Sequence, residues 1–337
     1  MIDVLSRAAL AHWDELGLPG PRPPRLTFLV DAADERRHGC ARFRAFRDGN
    51  PRPIFRGKIP RDGVARREVL GEHETLRALA EVSPVGAGRL FPRALFLEES
   101  GASVASAETI LPGGPPADAM QALTAGERWL GMLWRATEIL EGAEAAIREP
   151  YLRATLASVE RTPPGGARRL LEQFAEDVER REGTSRCAFG HGDLRISQLR
   201  VAGDGALGAV DWEAGGRRRP PWSDPVTLAL DVALRAARPV VSTESEAAEA
   251  FRTGFLSDAP VAQAIRSFLA GTFERGGVPP EDIRIAVPAT ALLCARHAEH
   301  VGDRDPGAWS WRAIALASLV PETSDRLVER LGATAGA

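Results

Sequence analysis

The sequence is almost without lysine. Arginine accounts for all of its 43 basic residues except Lys58, and asparagine, which is equally scarce, occurs only as Asn50. A chain that uses arginine wherever any cation suffices is expected to keep lysine where a compact ammonium is needed and a planar guanidinium does not fit. Lys58 is therefore a candidate functional residue, with retention by chance as the alternative.

Other features are also scarce, and each absence argues against a class of protein. The cysteines, Cys40, Cys187 and Cys294, are odd in number and far apart, which argues against a disulfide framework and a cysteine-based zinc site. No run of eighteen apolar residues marks a transmembrane helix, and the N-terminal residues lack the basic-then-apolar pattern of a signal peptide. The net charge of −3 is too small to indicate binding to nucleic acid or membrane. These observations predict a cytoplasmic protein.

Hydrophobic spacing divides the chain into a strand-rich first third and a helical remainder. Short strands are predicted near 26–30, 41–46, 53–59, 94–97 and 105–111, with helices over 2–16 and 64–81. After a Pro- and Gly-rich stretch, helices are predicted near 118–147, 149–160, 165–182, 224–238, 243–256, 259–275, 280–302 and 307–332, with small strands near 198–202 and 206–211. The expected class is α+β, with an N-lobe over 1–111, a linker over 112–116 and a helical C-lobe over 117–337.

Two acidic residues flank the predicted hairpin in the second half of the chain. Asp193 lies in His191-Gly192-Asp193, and Asp211 follows the second strand of the hairpin, 18 positions later. Hairpin geometry can bring both ends to one place. Phosphoryl transfer needs such a place, because one Asp accepts the proton of the attacking hydroxyl while a second Asp and an amide oxygen hold magnesium against the phosphates.

This segment resembles the catalytic loop of the aminoglycoside phosphotransferase and choline kinase superfamily, whose members are relatives of the protein kinases. The family's loop reads His-Gly-Asp, four residues, then Asn. His191-Gly192-Asp193 matches it, and Gln198 occupies the Asn position. The resemblance implies that Asp193 is the catalytic base, that His191 orients the loop, and that Gln198 and Asp211 hold Mg²⁺.

The first half of the chain extends the resemblance. The family carries a lysine on its third strand that meets the α- and β-phosphates, and Lys58 lies on the third predicted strand of the N-lobe. A helix then offers a glutamate to pair with that lysine. Glu72 matches this pattern, and Glu68, one helical turn earlier on the same face, is the alternative. The family's ATP hinge resembles Glu108-Thr109-Ile110, where backbone groups would read adenine.

Other residues near the loop have two interpretations each. Arg195 could neutralise charge on the transferred phosphoryl group, or it could be a surface arginine on a turn. Arg217-Arg218-Arg219 could dock an acidic acceptor or a peptide, although a solvated charge run fits better. His297 and His300, three apart on a predicted helix, fit a helix surface that lines an acceptor cleft better than they fit a metal site.

The sequence departs from the family pattern in two places. Gln198 has one methylene more than the expected Asn, with the same amide oxygen. No glycine-rich phosphate loop is visible between the first two strands, over 31–40, so phosphate contacts are expected from Lys58, the metal ions and backbone amides. Downstream, Asp224-Pro225 and Asp231 match the family only loosely.

Together the matches imply a protein-kinase-like two-lobed fold that uses ATP and Mg²⁺ to phosphorylate a hydroxyl of a small molecule, such as an antibiotic, a sugar or an amino alcohol. Two alternatives stay open. One is a Ser/Thr peptide kinase of a lanthionine or thioamide type of pathway, and the other is a nucleotide-binding pseudokinase scaffold. Residues 117–337 carry 26 basic and 31 acidic side chains. This excess of acidic side chains mildly favours a cationic acceptor, although an ordinary solvated surface explains the excess better.

Overall fold

The computed structural model of the chain describes residues 2–31, 39–83, 89–100, 103–138, 140–141, 144–180, 186–237, 241–301 and 308–335. Residues 32–38, most of the segment between the first two strands in which no glycine-rich phosphate loop is visible, lie outside the described residues. In the described parts of the chain, no helix has both the length and the apolar composition needed to cross a membrane.

A five-stranded antiparallel sheet forms the N-lobe. Its strands are β1 (Leu26–Val30), β2 (Cys40–Arg47), β3 (Phe55–Pro60), β4 (Ala94–Ser100) and β5 (Ser103–Glu108), in the spatial order β1-β2-β3-β5-β4. Helix α1 (Ile2–Ala11) precedes the sheet, and α2 (Gly63–Val82) connects β3 to β4. The elements predicted for this lobe are therefore present, although α1 ends at Ala11 instead of continuing to residue 16.

The two faces of this sheet differ because successive side chains of a strand point to opposite sides. One face is apolar and packs against α1, whose Leu5 lies in a buried cluster with Phe43 and Ile59. The other face is polar, and its charged residues stand opposite one another in the register of the strands: Arg42 with Lys58, Arg44 with Arg56, Lys58 with Ser106, and Arg56 with Glu108.

Helix α2 lies against the charged face. Asp62 caps its first turn by accepting hydrogen bonds from the backbone N–H groups of Val64 and Ala65, at 2.8 and 3.0 Å, an interaction that typically stabilises a helix by about 1 kcal/mol. The buried stripe of the helix is apolar apart from Glu72 and Thr75. A buried carboxylate needs polar partners, and Glu72 is 3% exposed.

The C-lobe is mainly helical. Its helices are α3 (Ala119–Thr137), α4 (Glu144–Arg161), α5 (Gly166–Arg180), α6 (Ser223–Ala237), α7 (Glu244–Leu256), α8 (Pro260–Gly276), α9 (Ile283–Val301), α10 (Ala308–Leu319) and α11 (Pro321–Ala335), with a 3₁₀ turn at Pro280–Asp282. Its short strands are β6 (Leu140–Glu141), β7 (Arg186–Gly190), β8 (Leu199–Val201), β9 (Leu207–Ala209) and β10 (Gly216–Arg219). They form one sheet in the order β10-β7-β6 and one hairpin of β8 and β9.

Several boundaries predicted for this lobe were wrong. The helix predicted over 118–147 ends at Thr137, and the helix predicted over 307–332 is interrupted before Pro321. Proline lacks a backbone N–H and suits the first turn of a helix, so a new helix begins there. Strands β7 and β10 were not predicted, because three consecutive arginines in β10 look like a solvated segment and only pairing with β7 makes them a strand.

The linker between the lobes is attached to the hairpin. Gly114 and Val201 exchange two backbone hydrogen bonds, at 3.3 and 2.8 Å. Gly113 has a φ of +94°, and a Cβ atom there would lie 2.3 Å from the carbonyl oxygen of Val201. Only glycine permits this close approach, which fixes the hairpin beside the linker.

Candidate active site

Lys58 lies in a buried cluster of charges. Its side chain is 1% exposed, and its ammonium donates to both carboxylate oxygens of Glu72, at 2.7 and 2.6 Å, and to Asp211 Oδ1, at 3.3 Å. Of the two glutamates that the sequence offered, Glu72 is the one that meets Lys58. Glu72 also accepts a hydrogen bond from the backbone N–H of Trp212, at 3.0 Å. These contacts join the N-lobe to the segment that follows β9.

Four carboxylates surround this ammonium. In addition to Glu72 and Asp211, Glu108 and Glu213 each place an oxygen 3.9 Å from Lys58 Nζ. Burial alone would lower the pKa of Lys58, but the carboxylates raise it above its ordinary value. The lysine therefore carries its positive charge at neutral pH.

Two arginines also reach these carboxylates. Arg56 Nη1 lies 3.4 Å from Asp211 Oδ1, and Arg42 Nη2 lies 3.5 Å from Glu213 Oε1. Burial raises the pKa of Glu72 to about 8, because the attraction of Lys58, which lowers it, is opposed by the charges of Glu108, Glu213 and Asp211.

Asp211 has an unusual backbone conformation. Its φ is 65°, in the left-handed region, which costs a non-glycine residue about 1 kcal/mol or more. Burial alone would raise the pKa of Asp211, but Lys58, Arg42 and Arg56 lower it well below the ordinary value. The carboxylate is consequently ionised at neutral pH. Strain of this kind persists where the surroundings enforce it, and it is concentrated at functional sites.

Asp193 lies in the loop between β7 and β8, where its near neighbours orient it. Arg195 Nε donates to Oδ1 at 2.9 Å, and Gln198 Nε2 donates to Oδ2 at 3.3 Å. Burial alone would raise the pKa of Asp193, but the charges of Arg195, His297 and His191 lower it. Asp193 is therefore an ionised hydrogen-bond acceptor at neutral pH.

The amide of Gln198 is used within the same loop. Its Oε1, the predicted metal ligand, accepts a hydrogen bond from the backbone N–H of Arg195 at 2.7 Å. The extra methylene, relative to Asn, lets one side chain reach both this N–H and Asp193. The guanidinium of Arg195 in turn lies over the ring of Trp311, 5.5 Å from its centroid, a cation–π contact that connects the loop to α10.

The backbone of the loop is held by a buried aspartate. The N–H groups of His191 and Gly192 donate to the two oxygens of Asp224, at 2.6 and 2.8 Å. The His191 ring donates from Nε2 to the carbonyl of Val210, at 2.8 Å. Because Val210 precedes Asp211, the His191 side chain connects the loop that carries Asp193 to the segment that carries Asp211.

The predicted hinge residues lie at the end of β5 and differ in their surroundings. Glu108 is buried and faces Lys58. The backbone N–H of Thr109 donates to the carbonyl of Arg93 at 2.9 Å, so it is already engaged. Ile110 is 38% exposed. Of these three residues, Ile110 is the most exposed and Thr109 is partly buried.

The run of arginines at 217–219 has partners inside the protein. Arg217 donates to Glu81 at 3.2 Å, and Arg219 donates to the carbonyl of Ala214. Arg217 and Arg219 therefore stabilise the packing of β10. Their contacts within the protein account for both arginines without a bound acceptor.

Three charged residues of the cluster were not singled out from the sequence, namely Arg42, Arg56 and Glu213. The arginines could not be distinguished from the many others by composition. The available signal was the alternation along β2 and β3, which places both on the same face as Lys58. Glu213 was visible only as a second acid beside Asp211.

No family model matches the chain, and no curated protein matches it in sequence. Solved structures do resemble it. The macrolide 2′-phosphotransferase from Brachybacterium faecium superposes with a TM-score of 0.52 at 18% identity, covering 95% of this chain and 97% of its own. The ethanolamine kinase of Plasmodium vivax superposes with a TM-score of 0.50 at 10% identity, covering 89% of this chain and 83% of its own.

The chain therefore has the two-lobed, kinase-like α+β fold that these phosphotransferases share. The fold class predicted from the sequence is confirmed, and so is the resemblance to the aminoglycoside phosphotransferase and choline kinase superfamily at the level of fold. A shared fold does not by itself assign a reaction, which has to be argued from the site.

Proposed function

We propose that this protein is an ATP-dependent phosphotransferase that moves the γ-phosphoryl group of ATP to a hydroxyl of a small molecule. The observation that carries the proposal is the buried contact of Lys58 with Glu72 and Asp211, beside a loop that presents ionised Asp193. Phosphoryl transfer is catalysed mainly by positioning and by charge. The site supplies both with residues from separate elements.

The donor nucleotide is assigned to the cleft between the lobes, with 1–111 as the nucleotide-binding lobe, 112–116 as the hinge and 117–337 as the acceptor lobe. Lys58 is the proposed contact of the α- and β-phosphates, and Glu72 holds its ammonium in place. Arg42 and Arg56 stand beside it on the same face of the sheet. These arginines add positive charge where the sequence shows no glycine-rich phosphate loop.

Asp211 suits a magnesium ion. Its carboxylate is ionised, and carboxylate oxygens are ligands that Mg²⁺ prefers. In the described part of the chain no three His, Cys, Asp or Glu residues converge as a metal site, but Mg²⁺ is usually held by one or two carboxylates together with substrate phosphates. Gln198 is a weaker candidate ligand, because its oxygen already accepts the N–H of Arg195. When bound, the ion neutralises charge on the phosphates.

Asp193 is the proposed catalytic base, which accepts the proton of the attacking hydroxyl. Arg195 and Gln198 each donate to one of its oxygens, so the carboxylate has a defined orientation and keeps lone pairs for the hydroxyl. Arg195 is also the nearest cation to this carboxylate and is proposed to stabilise charge on the transferred group.

The test is transfer of label from γ-labelled ATP, with Mg²⁺, to a panel of macrolides, aminoglycosides, sugars, amino alcohols and Ser/Thr peptides. We expect a labelled small molecule, and we expect Lys58→Ala and Asp211→Ala to abolish its formation. Label on peptides alone would replace this proposal with the peptide-kinase alternative. No transfer to any acceptor, with nucleotide binding unchanged in Asp193→Ala, would support a scaffold instead.

A further inference from the structure

A groove in the C-lobe is lined mainly by arginine and histidine side chains. Its volume is about 430 Å³, within the usual range of small-molecule sites. One wall of the groove is helix α9, which packs against α10, the helix whose Trp311 contacts Arg195 of the loop that carries Asp193. The groove is lined by Arg161 of α4 and by Leu293, Arg296, His297, Glu299 and His300 of α9.

The single carboxylate of this lining is neutralised by arginines. Glu299 pairs with Arg161 across the groove and with Arg312 of α10, the latter at 2.8 Å. Within the described ranges, Arg296 has no ion-pair partner. The wall of the groove therefore carries a surplus of positive charge.

Contacts between side chains connect this wall to the catalytic loop. Arg195 stacks on Trp311 of α10, and the next residue, Arg312, reaches Glu299 in the groove. The position of the groove relative to the loop is thus set by two packed helices, α9 and α10.

We propose that this groove receives the acceptor, and that the acceptor carries a carboxylate or phosphate group in addition to the hydroxyl that is phosphorylated. The inference rests on the proposed function and names its substrate class. An anionic group would gain charge-assisted hydrogen bonds from Arg296, whereas a polycationic acceptor would meet like charge. Residues 117–337 have a small excess of acidic side chains, which suggested a cationic acceptor. The net charge of a whole lobe does not determine the charge of one groove within it.

The reaction is balanced without another reactant. The hydroxyl oxygen forms a bond to the γ-phosphorus, the bond between that phosphorus and the β–γ bridging oxygen breaks, and ADP leaves. The hydroxyl proton passes to Asp193. The anionic group takes no part in this step and serves to hold the acceptor.

The test compares pairs of acceptor analogues in which one member carries an anionic group and the other is neutral. Binding of gluconate and sorbitol, and of glycerol 3-phosphate and glycerol, is measured by calorimetry on the full chain. We expect the anion of at least one pair to bind about tenfold more tightly than its neutral partner, which corresponds to one good charge-assisted contact. The gluconate pair tests a carboxylate and the glycerol 3-phosphate pair tests a phosphate, so the two pairs together show which anion the groove prefers.

The matched variants lie on one helix. Arg296→Gln should remove the preference, whereas Arg284→Gln, exposed on α9 but outside the groove, should keep it. Equal binding within both pairs, binding of neither member, or a preference unchanged in Arg296→Gln would overturn the proposal. ADP binding is measured on the same samples. If the wild-type protein keeps the anion preference but does not bind ADP, the proposed function is contradicted and the proposal about the groove still stands.

Discussion

The two halves of the candidate site are built in opposite ways. The donor cluster, which comprises Lys58, Glu72, Glu108, Asp211 and Glu213 with Arg42 and Arg56, joins residues more than 150 positions apart, such as Arg56 and Asp211. The catalytic loop orients Asp193 through Arg195 and Gln198, at most five positions away. The donor cluster therefore holds the lobes together, whereas the loop orients one carboxylate. Damage to the cluster should reduce ADP binding and activity together, and damage to the loop should reduce activity while ADP binding is retained.

The sharpest test of this contrast is Asp193→Asn. Asparagine keeps the shape of the side chain but cannot accept the proton, so turnover should fall by about 10²- to 10⁴-fold. ADP affinity should change little, which ADP titration will measure. Turnover at the wild-type rate would remove Asp193 from the role of base.

Lys58→Met should act on both stability and activity. It leaves Glu72 buried without its ammonium partner, and breaking such a pair destabilises a protein by about 3–5 kcal/mol. Urea denaturation should show this loss, and ADP binding should weaken. The control is Arg25→Met, which breaks the exposed pair with Asp48 and should cost less than about 1 kcal/mol. Equal losses in the two variants would contradict the buried role of Lys58.

The donor cluster should also respond to pH differently from the loop. The raised pKa of Glu72, about 8, means that the folded protein keeps a proton that the unfolded chain has already lost. Stability should therefore fall as pH rises from the ordinary glutamate value towards 8, by up to about 1.4 kcal/mol per pH unit. Asp193, whose pKa is lowered, loses its contribution only as pH falls below the ordinary aspartate value.

Unfolding of wild type and Glu72→Gln across pH 6 to 8 measures this slope. The variant cannot ionise at this position, so its stability should vary less with pH than that of the wild type. Parallel curves would show that Glu72 does not hold the proton.

The smallest expected effect is that of Gln198→Asn. The family pattern alone favours an unchanged or improved enzyme. In the structure the shorter side chain cannot reach both Asp193 and the N–H of Arg195, and one lost hydrogen bond of about 1–2 kcal/mol corresponds to about tenfold in turnover. ADP affinity should not change. Faster turnover in the Asn variant would restore the metal-ligand interpretation.

Much of the site could be predicted because its signals are local. The loop motif around Asp193 and the position of Asp211 after a short strand are properties of short segments, and Lys58 is conspicuous by composition alone. The order of strands and helices predicted the fold class for the same reason. Helix ends and the strands β7 and β10 were missed, because they depend on pairing with distant segments.

The sequence by itself determined which side chains have the chemistry for phosphoryl transfer. Tertiary structure decided their partners. It selected Glu72 over Glu68 for Lys58, and it turned the amide of Gln198 towards Asp193. It also brought Arg161 and α9 together to make a basic groove in an acidic lobe. The physical reason is that residue type and spacing belong to a segment, whereas burial, pairing and local charge arise only when segments pack together.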